Sequence, residues 1–305
     1  MIRLVIVNPM AGTGKGEKYL KGIGKIFENI KKEGLIVEDK VYLELTKSVG
    51  DATCIVKDYL SKYEDEFVIY VVGGDGTISE VAKAILNVPK ASMVVIPKGT
   101  GNDFARVTNS YKSMRKIIRK SLSEKPVMVD SISVKDMLSM NVVNLGFDAA
   151  IADNMNKFRH FPFITGSMKY RLSIFYTLFS AKKYKLKVRV DDKIFKGSYT
   201  LLAIGNNKYY GGGVKVLPDA DMADGFMDVC LIDNTTLLQK LIFLPKFSKG
   251  KHLGLSIVHM LKGKDITVVS TRKFPVSIDG EIITTNRLHI KINKNSVSII
   301  KTLDN

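Results

Sequence analysis

At 305 residues the chain has room for two domains of roughly 100 to 200 residues each, and its 45% hydrophobic and 25% charged residues with 8 prolines exclude a disordered or collagen-like protein. Forty-seven Lys and Arg against 30 Asp and Glu leave a net charge of +17, which points to anionic partners: nucleotide phosphate, nucleic acid or an acidic membrane surface. The 2 cysteines, Cys54 and Cys230, lie outside any CxxC or Cys/His spacing, which argues against a disulfide framework or structural zinc and for the reducing cytoplasm.

The first residues run from Met1 into Leu4–Val7 and stop at Asn8-Pro9, too short and turn-like for a signal-peptide core, so no export is expected. Leu4–Val7, Phe67–Val72 and Met93–Ile96 read as buried parallel strands. Between them, Tyr19 to Lys32 and Ala52 to Tyr63 carry apolar residues at helical spacing. So do Ile78, Val81, Ala82, Ile85 and Leu86, which places an amphipathic helix on a sheet. Alternating strand and helix predicts an open α/β domain over residues 1–130, whose ligands bind at the carboxyl ends of the strands.

After Pro126 the pattern becomes short strands: Val127 to Val134, Met140 to Asn144, Leu186 to Val190, Tyr199 to Ile204, Met227 to Ile232, Asp265 to Val269, Phe274 to Ile278, Leu288 to Ile292 and Val297 to Ile300. This predicts an antiparallel β-sandwich over residues 131–295, interrupted by helical insertions at Ala149 to Lys183 and Thr236 to Leu261. A return of the tail 296–305 to the first domain is allowed for. Leu172 to Ala181, the longest mostly apolar stretch, has 10 residues against the ~20 that span a bilayer, so membrane contact is expected to be peripheral.

The segment richest in chemistry is Val71-Val72-Gly73-Gly74-Asp75-Gly76-Thr77, a strand that empties into a glycine loop and then a helix. Glycines let main-chain amides approach an anion, and the helix presents its positive end to the same place. By itself the loop is equally a tight turn; its placement between strand and helix favours phosphate. Known nucleotide fingerprints fail: Gly12-Thr13-Gly14-Lys15-Gly16 has Pro9 where a P-loop has its first glycine and Gly16 where it has Ser or Thr. Ser79 and Phe104 stand where dinucleotide loops would have their third glycine.

Asn8-Pro9-Met10-Ala11-Gly12, Gly73 to Thr77, and Pro97-Lys98-Gly99-Thr100-Gly101-Asn102-Asp103-Phe104-Ala105-Arg106 each directly follow a predicted strand. Together with Asn144-x-Gly146-Phe147-Asp148-Ala149, Asp224-Gly225-x-x-Asp228-Val229 and Asp279-Gly280-Glu281, this order resembles the diacylglycerol kinase catalytic family, and more closely its bacterial soluble lipid kinase branch. The resemblance runs from Asn8 to Glu281.

The resemblance implies an ATP-dependent, Mg²⁺-dependent lipid kinase acting on diacylglycerol or a related glycerolipid. It implies an N-terminal α/β nucleotide-binding domain, a C-terminal β-sandwich domain and an active site in the cleft between them. Phosphoryl transfer needs a cradle for polyphosphate, a divalent metal and a carboxylate to take the hydroxyl proton. The ATP contacts implied are Asn8, Pro9, Met10, Ala11, Gly12, Thr46, Gly73, Gly74, Asp75, Gly76, Thr77, Ile78, Ser79 and Thr100. Asp75 would anchor the catalytic Mg²⁺, with Asp130 a second carboxylate acting through water. Glu281 would be the proton acceptor, with Asp279 beside it; by composition alone Asp-Gly-Glu reads as a hairpin turn. Asp221, Asp224 and the Phe226 carbonyl would hold a structural Mg²⁺, and without the resemblance they read as a solvated acidic loop.

His160, His252, His259 and His289 form no ligand spacing and receive no role. Two basic apolar segments, Lys157 to Tyr176 and Leu237 to Lys251 with Lys240, Lys246, Lys249 and Lys251, are candidates for peripheral contact with anionic membrane. No nucleic-acid motif is present, and a homodimer is compatible with the pattern. The alternatives are a phosphotransferase like NAD kinase, against which the Pro97 to Arg106 motif counts, and a non-catalytic basic membrane or nucleic-acid binding protein. The latter has no chemical need for Asp75, Thr100, Asp279 and Glu281 together.

Overall fold

The fold is that of a computed structural model, which describes residues 1–10, 14–145 and 184–304. The expected helical insertion Ala149 to Lys183, the basic segment Lys157 to Tyr176, the contacts Ala11 and Gly12, and the motif residues Gly146 to Ala149 lie outside them. The chain divides into two compact units, Met1–Asp130 with Lys294–Asn305, and Ser131–Asn293.

The first unit is built on parallel strands β1 (Ile2–Val7), β2 (Lys40–Leu45), β3 (Phe67–Gly73) and β4 (Ala91–Pro97), in the order β4-β3-β1-β2. The end of the long strand β13 (Glu281–Ile299) joins β4 in parallel, with Ser298 opposite Ser92 and Ile299 opposite Met93. Every residue of β1 and β3 is buried, as expected of central strands covered on both faces. β2 is the edge strand; its half-exposed Lys-Val-Tyr-Leu-Glu-Leu offers no apolar run, which is why the hydropathy pattern does not announce it.

Helix α1 (Gly16–Lys32) buries Ile23, Phe27 and Ile30, one stripe at i, i+4 and i+7, against Val5, Val7, Val68, Tyr70 and Val72. α2 (Asp51–Lys62) buries Ala52 and Val56, and α3 (Asp75–Ala84) buries Ile78, Val81 and Ala82. Two short helices follow β4: α4 (Ala105–Thr108) and α5 (Met114–Ser121). α5 was not expected, because only Ile117, Ile118 and Ser121 of its strongly basic sequence are buried.

In the second unit the strands are β6 (Met137–Ser139), β7 (Val142–Leu145), β8 (Tyr184–Val190), β9 (Lys193–Gly205), β10 (Met227–Asp233), β11 (Val258–Gly263), β12 (Asp265–Ile278) and most of β13. β5 (Val127–Val134) leads into them and pairs with β6. Their pairings are antiparallel: β11-β10-β9-β7-β12-β13, with β8 against β9 and β12. β9 and β12 are long enough to be flanked by β8 over one half and β7 over the other. β12 changes register between Val269 and Phe274, so one irregular strand stands where two short ones were expected. Val188, Ile204, Val229, Val268, Phe274 and Leu288 lie at the centre of a shared apolar core.

The expected helix Thr236 to Leu261 is corrected. α6 covers only Leu237–Ser248, opened by a Thr236–Gln239 capping box. It ends in a Schellman arrangement in which Gly250 N bonds Phe247 O and Lys251 N bonds Lys246 O. Val258 to Gly263 instead forms β11, paired residue for residue with β10. Its helix-compatible composition is overridden by an open strand edge to pair with.

Candidate active site

Parallel neighbours β1, β3 and β4 deliver their three following loops to the same edge of the sheet, and main-chain bonds lock those loops together. Gly73 O accepts the amides of Lys98 (2.8 Å) and Gly99 (3.1 Å), while Asn8 N donates to Val72 O (3.0 Å). A Cβ on Gly99 would stand 2.4 Å from Gly74 Cα, so the β3 and β4 loops meet backbone to backbone where no side chain fits. Asn8 binds the β1 loop to α3: its Oδ1 accepts Met10 N (2.9 Å) and its Nδ2 donates to Thr77 Oγ1 (3.3 Å). Thr46 N reaches Val7 O at 3.0 Å, placing buried Thr46 beside the same loop.

Asp75 opens α3, and its carboxylate accepts the amides of Asp103 (3.2 Å) and Phe104 (3.1 Å). It therefore clamps the third motif onto the second. Asn102, with φ +53°, closes that motif on itself: its Oδ1 accepts Gly99 N (2.8 Å) and its Nδ2 donates to Gly99 O (2.7 Å). Gly76 and Thr100 are exposed above this framework. The first intrahelical bond of α3 is Ile78 N to Gly74 O (3.2 Å), so the first-turn amides of Asp75, Gly76 and Thr77 precede it and face the loops. A helix start over a glycine loop is the kind of arrangement whose amides and dipole favour an anion. Of the expected ATP contacts, Ile78 contributes to the core: its side chain is buried and its amide is spent within the helix.

In the second unit, Asp279 (φ +46°) and Gly280 (φ +97°) make the two-residue turn between β12 and β13. The Asp279 carboxylate is held by Ser139 Oγ (2.7 Å) and the amides of Met140 (2.7 Å), Asn141 (3.1 Å) and Val142 (3.1 Å). Glu281, two residues on, is exposed. One carboxylate is thus fixed by donors and its neighbour is left open to solvent.

The metal candidates do not gather into a cage: among the described residues no group of three or more His, Cys, Asp or Glu side chains could hold an ion. Asp130 is fully buried and its Oδ1 accepts Asn295 N at 2.7 Å. Asp221 Oδ1 accepts Ala223 N (3.0 Å) and Asp224 Oδ1 accepts Phe226 N (2.9 Å). Lys262 Nζ sits 2.6 Å from Asp224 Oδ2 and 3.5 Å from Asp228 Oδ2. Burial raises the Asp228 carboxyl to about 6, against the opposing pull of Lys262. A second ion at Asp221, Asp224 and the Phe226 carbonyl would have to displace an ammonium already balancing Asp224. Asp75 stands at the helix start beside the glycine loops.

Sequence reasoning did not single out Asn102, the Ser139 to Val142 cradle, Lys98 or Lys262. A signal existed only for Asn102, an Asn in a Gly-Thr-Gly-Asn-Asp run where a left-handed residue is at home.

Residues 3–134 match the model of the diacylglycerol kinase catalytic domain, and residues 141–301 match that of the YegS C-terminal NAD kinase beta sandwich-like domain. A diacylglycerol kinase of Staphylococcus saprophyticus is 27% identical over 91% of this chain and 88% of its own length. One from Staphylococcus carnosus is 27% identical over 91% and 87%. The crystal structure of a diacylglycerol kinase from Bacillus anthracis superposes with a TM-score of 0.70 over 99% of this chain and 96% of that one, at 19% identity, a likeness of fold. With both of its units matched in order, the chain belongs to the diacylglycerol kinase family of YegS-like lipid kinases and is an enzyme, a lipid kinase.

Proposed function

We propose that the enzyme transfers the γ-phosphate of ATP to a hydroxyl of diacylglycerol or a related membrane glycerolipid. The observation that carries this reading is the Asp75 clamp: it holds the β3 and β4 loops together beneath the open first turn of α3, where a polyphosphate fits amide donors. The substrate class is supported by the names of the staphylococcal relatives.

In this reading Asn8 to Gly12, Thr46, Gly73 to Ser79 and Thr100 surround the nucleotide. Asp75 would hold Mg²⁺, whose chemistry is to neutralise charge on the phosphates. The lipid oxygen forms its bond to Pγ as the bond from Pγ to the β–γ bridging oxygen breaks, ADP leaves, and the hydroxyl proton passes to Glu281. Asp279, with its oxygens committed to four donors, positions that turn rather than accepting the proton.

Peripheral contact with an anionic membrane belongs to the same reading, with the enzyme working from the cytoplasm. No helix among the described residues is long and apolar enough to cross a membrane. Leu238, at the start of α6, is 68% exposed, and Lys246, Lys249 and Lys251 are exposed at its other end.

The test is transfer of label from γ-labelled MgATP to a glycerolipid panel in mixed micelles, with NAD and sphingosine as competing acceptors and Asp75→Ala as blank. Label on a glycerolipid is the expected result. Label on NAD would replace the lipid by a soluble dinucleotide, and no transfer to any acceptor would overturn the reading.

A further inference from the structure

The cations beside the three loops are not equivalent. Arg106 has a carboxylate partner, with its Nε 3.4 Å from Asp103 Oδ1. Lys98 has none. Its amide is fixed on Gly73 O, which sets its Cα at the crossing of the two glycine loops. From there the half-buried side chain runs to Tyr19 of α1, with Nζ 5.1 Å from the ring centroid. Among the described residues no hydrogen bond or ion pair reaches that ammonium, and burial pushes its pKa down.

A partly desolvated ammonium without an anion costs free energy that a lysine turned outward would avoid, and an aromatic face offsets only part of it. In a chain of net charge +17 there is no shortage of exposed lysines for general attraction of anions. What distinguishes Lys98 is position: it stands on the loop pinned to Gly73 and Gly74, next to the amides at the start of α3. Among the described residues no carboxylate pairs with its ammonium.

We propose that the Lys98 ammonium binds a phosphate group of the nucleotide held by these loops, with Tyr19 steering it there. This rests on the ATP reading and adds a cation to a cradle otherwise made of main-chain amides. A charge-assisted contact of this kind is worth roughly tenfold or more in affinity.

The test measures binding of ATP, inorganic tripolyphosphate and adenosine to the full chain and to Lys98→Met, Lys98→Gln and Lys98→Arg. ATP and tripolyphosphate should bind about tenfold or more weakly to the Met and Gln variants. Adenosine should bind as before, and Lys98→Arg should keep ATP affinity within a few-fold. The two neutral variants should also melt no lower than the parent, because they remove an unpaired charge. Unchanged ATP affinity in the Met and Gln variants would overturn the proposal and leave the kinase reading standing. Equal loss of adenosine and ATP would also overturn it, by making Lys98 a support for loop shape. A parent chain that binds neither ATP nor tripolyphosphate would overturn both.

Discussion

Two carboxylates in this enzyme illustrate how neighbours set the use of a side chain. Asp279 is surrounded by four donors, whereas Glu281 is exposed, as its proposed role as proton acceptor requires. With Glu281 as the proposed general base, Glu281→Gln should lower kcat by about 10²- to 10⁴-fold, the usual contribution of such a group, with little change in Tm. Asp279→Asn should lower both, because an amide cannot accept all four donors. Steady-state kinetics beside thermal melts checks the pair, and equal loss of Tm in both would remove the distinction. His252 makes a further prediction. It is fully buried, its Nε2 lies 3.1 Å from Val216 O, and burial pushes its pKa below the ordinary 6.5. A folded-state pKa below the unfolded value means that its stabilising contribution is complete above about pH 6.5 and is lost as pH falls beneath it. Melting between pH 7 and 5 should fall more steeply for the parent than for His252→Gln, in which an amide N–H can replace the ring donor.

At the scale of elements, the site depends on loops that touch without side chains between them. Gly99→Ala would put a methyl 2.4 Å from Gly74 Cα, and main chain on main chain cannot yield as a flexible side chain would. The expected cost is about 1–3 kcal/mol, read by denaturant melts, with nucleotide affinity falling alongside. Gly76→Ala meets nothing within 4 Å and should cost far less, so the two variants separate close packing from the loss of a glycine as such. The strands, helices and glycine loops that frame this site were legible because buried parallel strands and amphipathic helices leave distinct apolar periods. β2 and α5 were not, since an edge strand and a short basic helix expose most of their residues. β11 was misread because its composition suits either state and only the free edge of β10 decides it.

For the whole molecule, the charge of +17 is a field and not a site, and what matters is where it meets an apolar surface. Lys246, Lys249 and Lys251 stand exposed along the end of α6, while Phe243 and Phe247 of the same helix are buried. Changing the three lysines to Glu should weaken binding and turnover on anionic vesicles by up to about 1 kcal/mol per residue, and leave turnover on detergent-dispersed lipid unaltered. Vesicle sedimentation across a salt series reads the effect. Equal activity of the variant on vesicles and micelles would assign membrane contact elsewhere.

The sequence by itself placed three glycine- and asparagine-bearing loops after strands, because loop composition and strand period are local properties; the class of chemistry came from the resemblance that those loops and the late Asp-Gly-Glu bear, as an ordered set, to a known family. The sequence also determined that the chain has an α/β portion and a strand-rich one. Only the tertiary structure decided what each charged side chain does. Asp75 clamps Asp103 and Phe104, 28 and 29 residues on, Asp130 holds Asn295, 165 residues on, and Lys262 balances Asp224, 38 residues back, while Lys98 meets no counter-ion among the described residues. The physical reason is range: hydrophobic period acts between near neighbours along the chain, whereas a charge is answered by whatever the fold brings within about 4 Å of it.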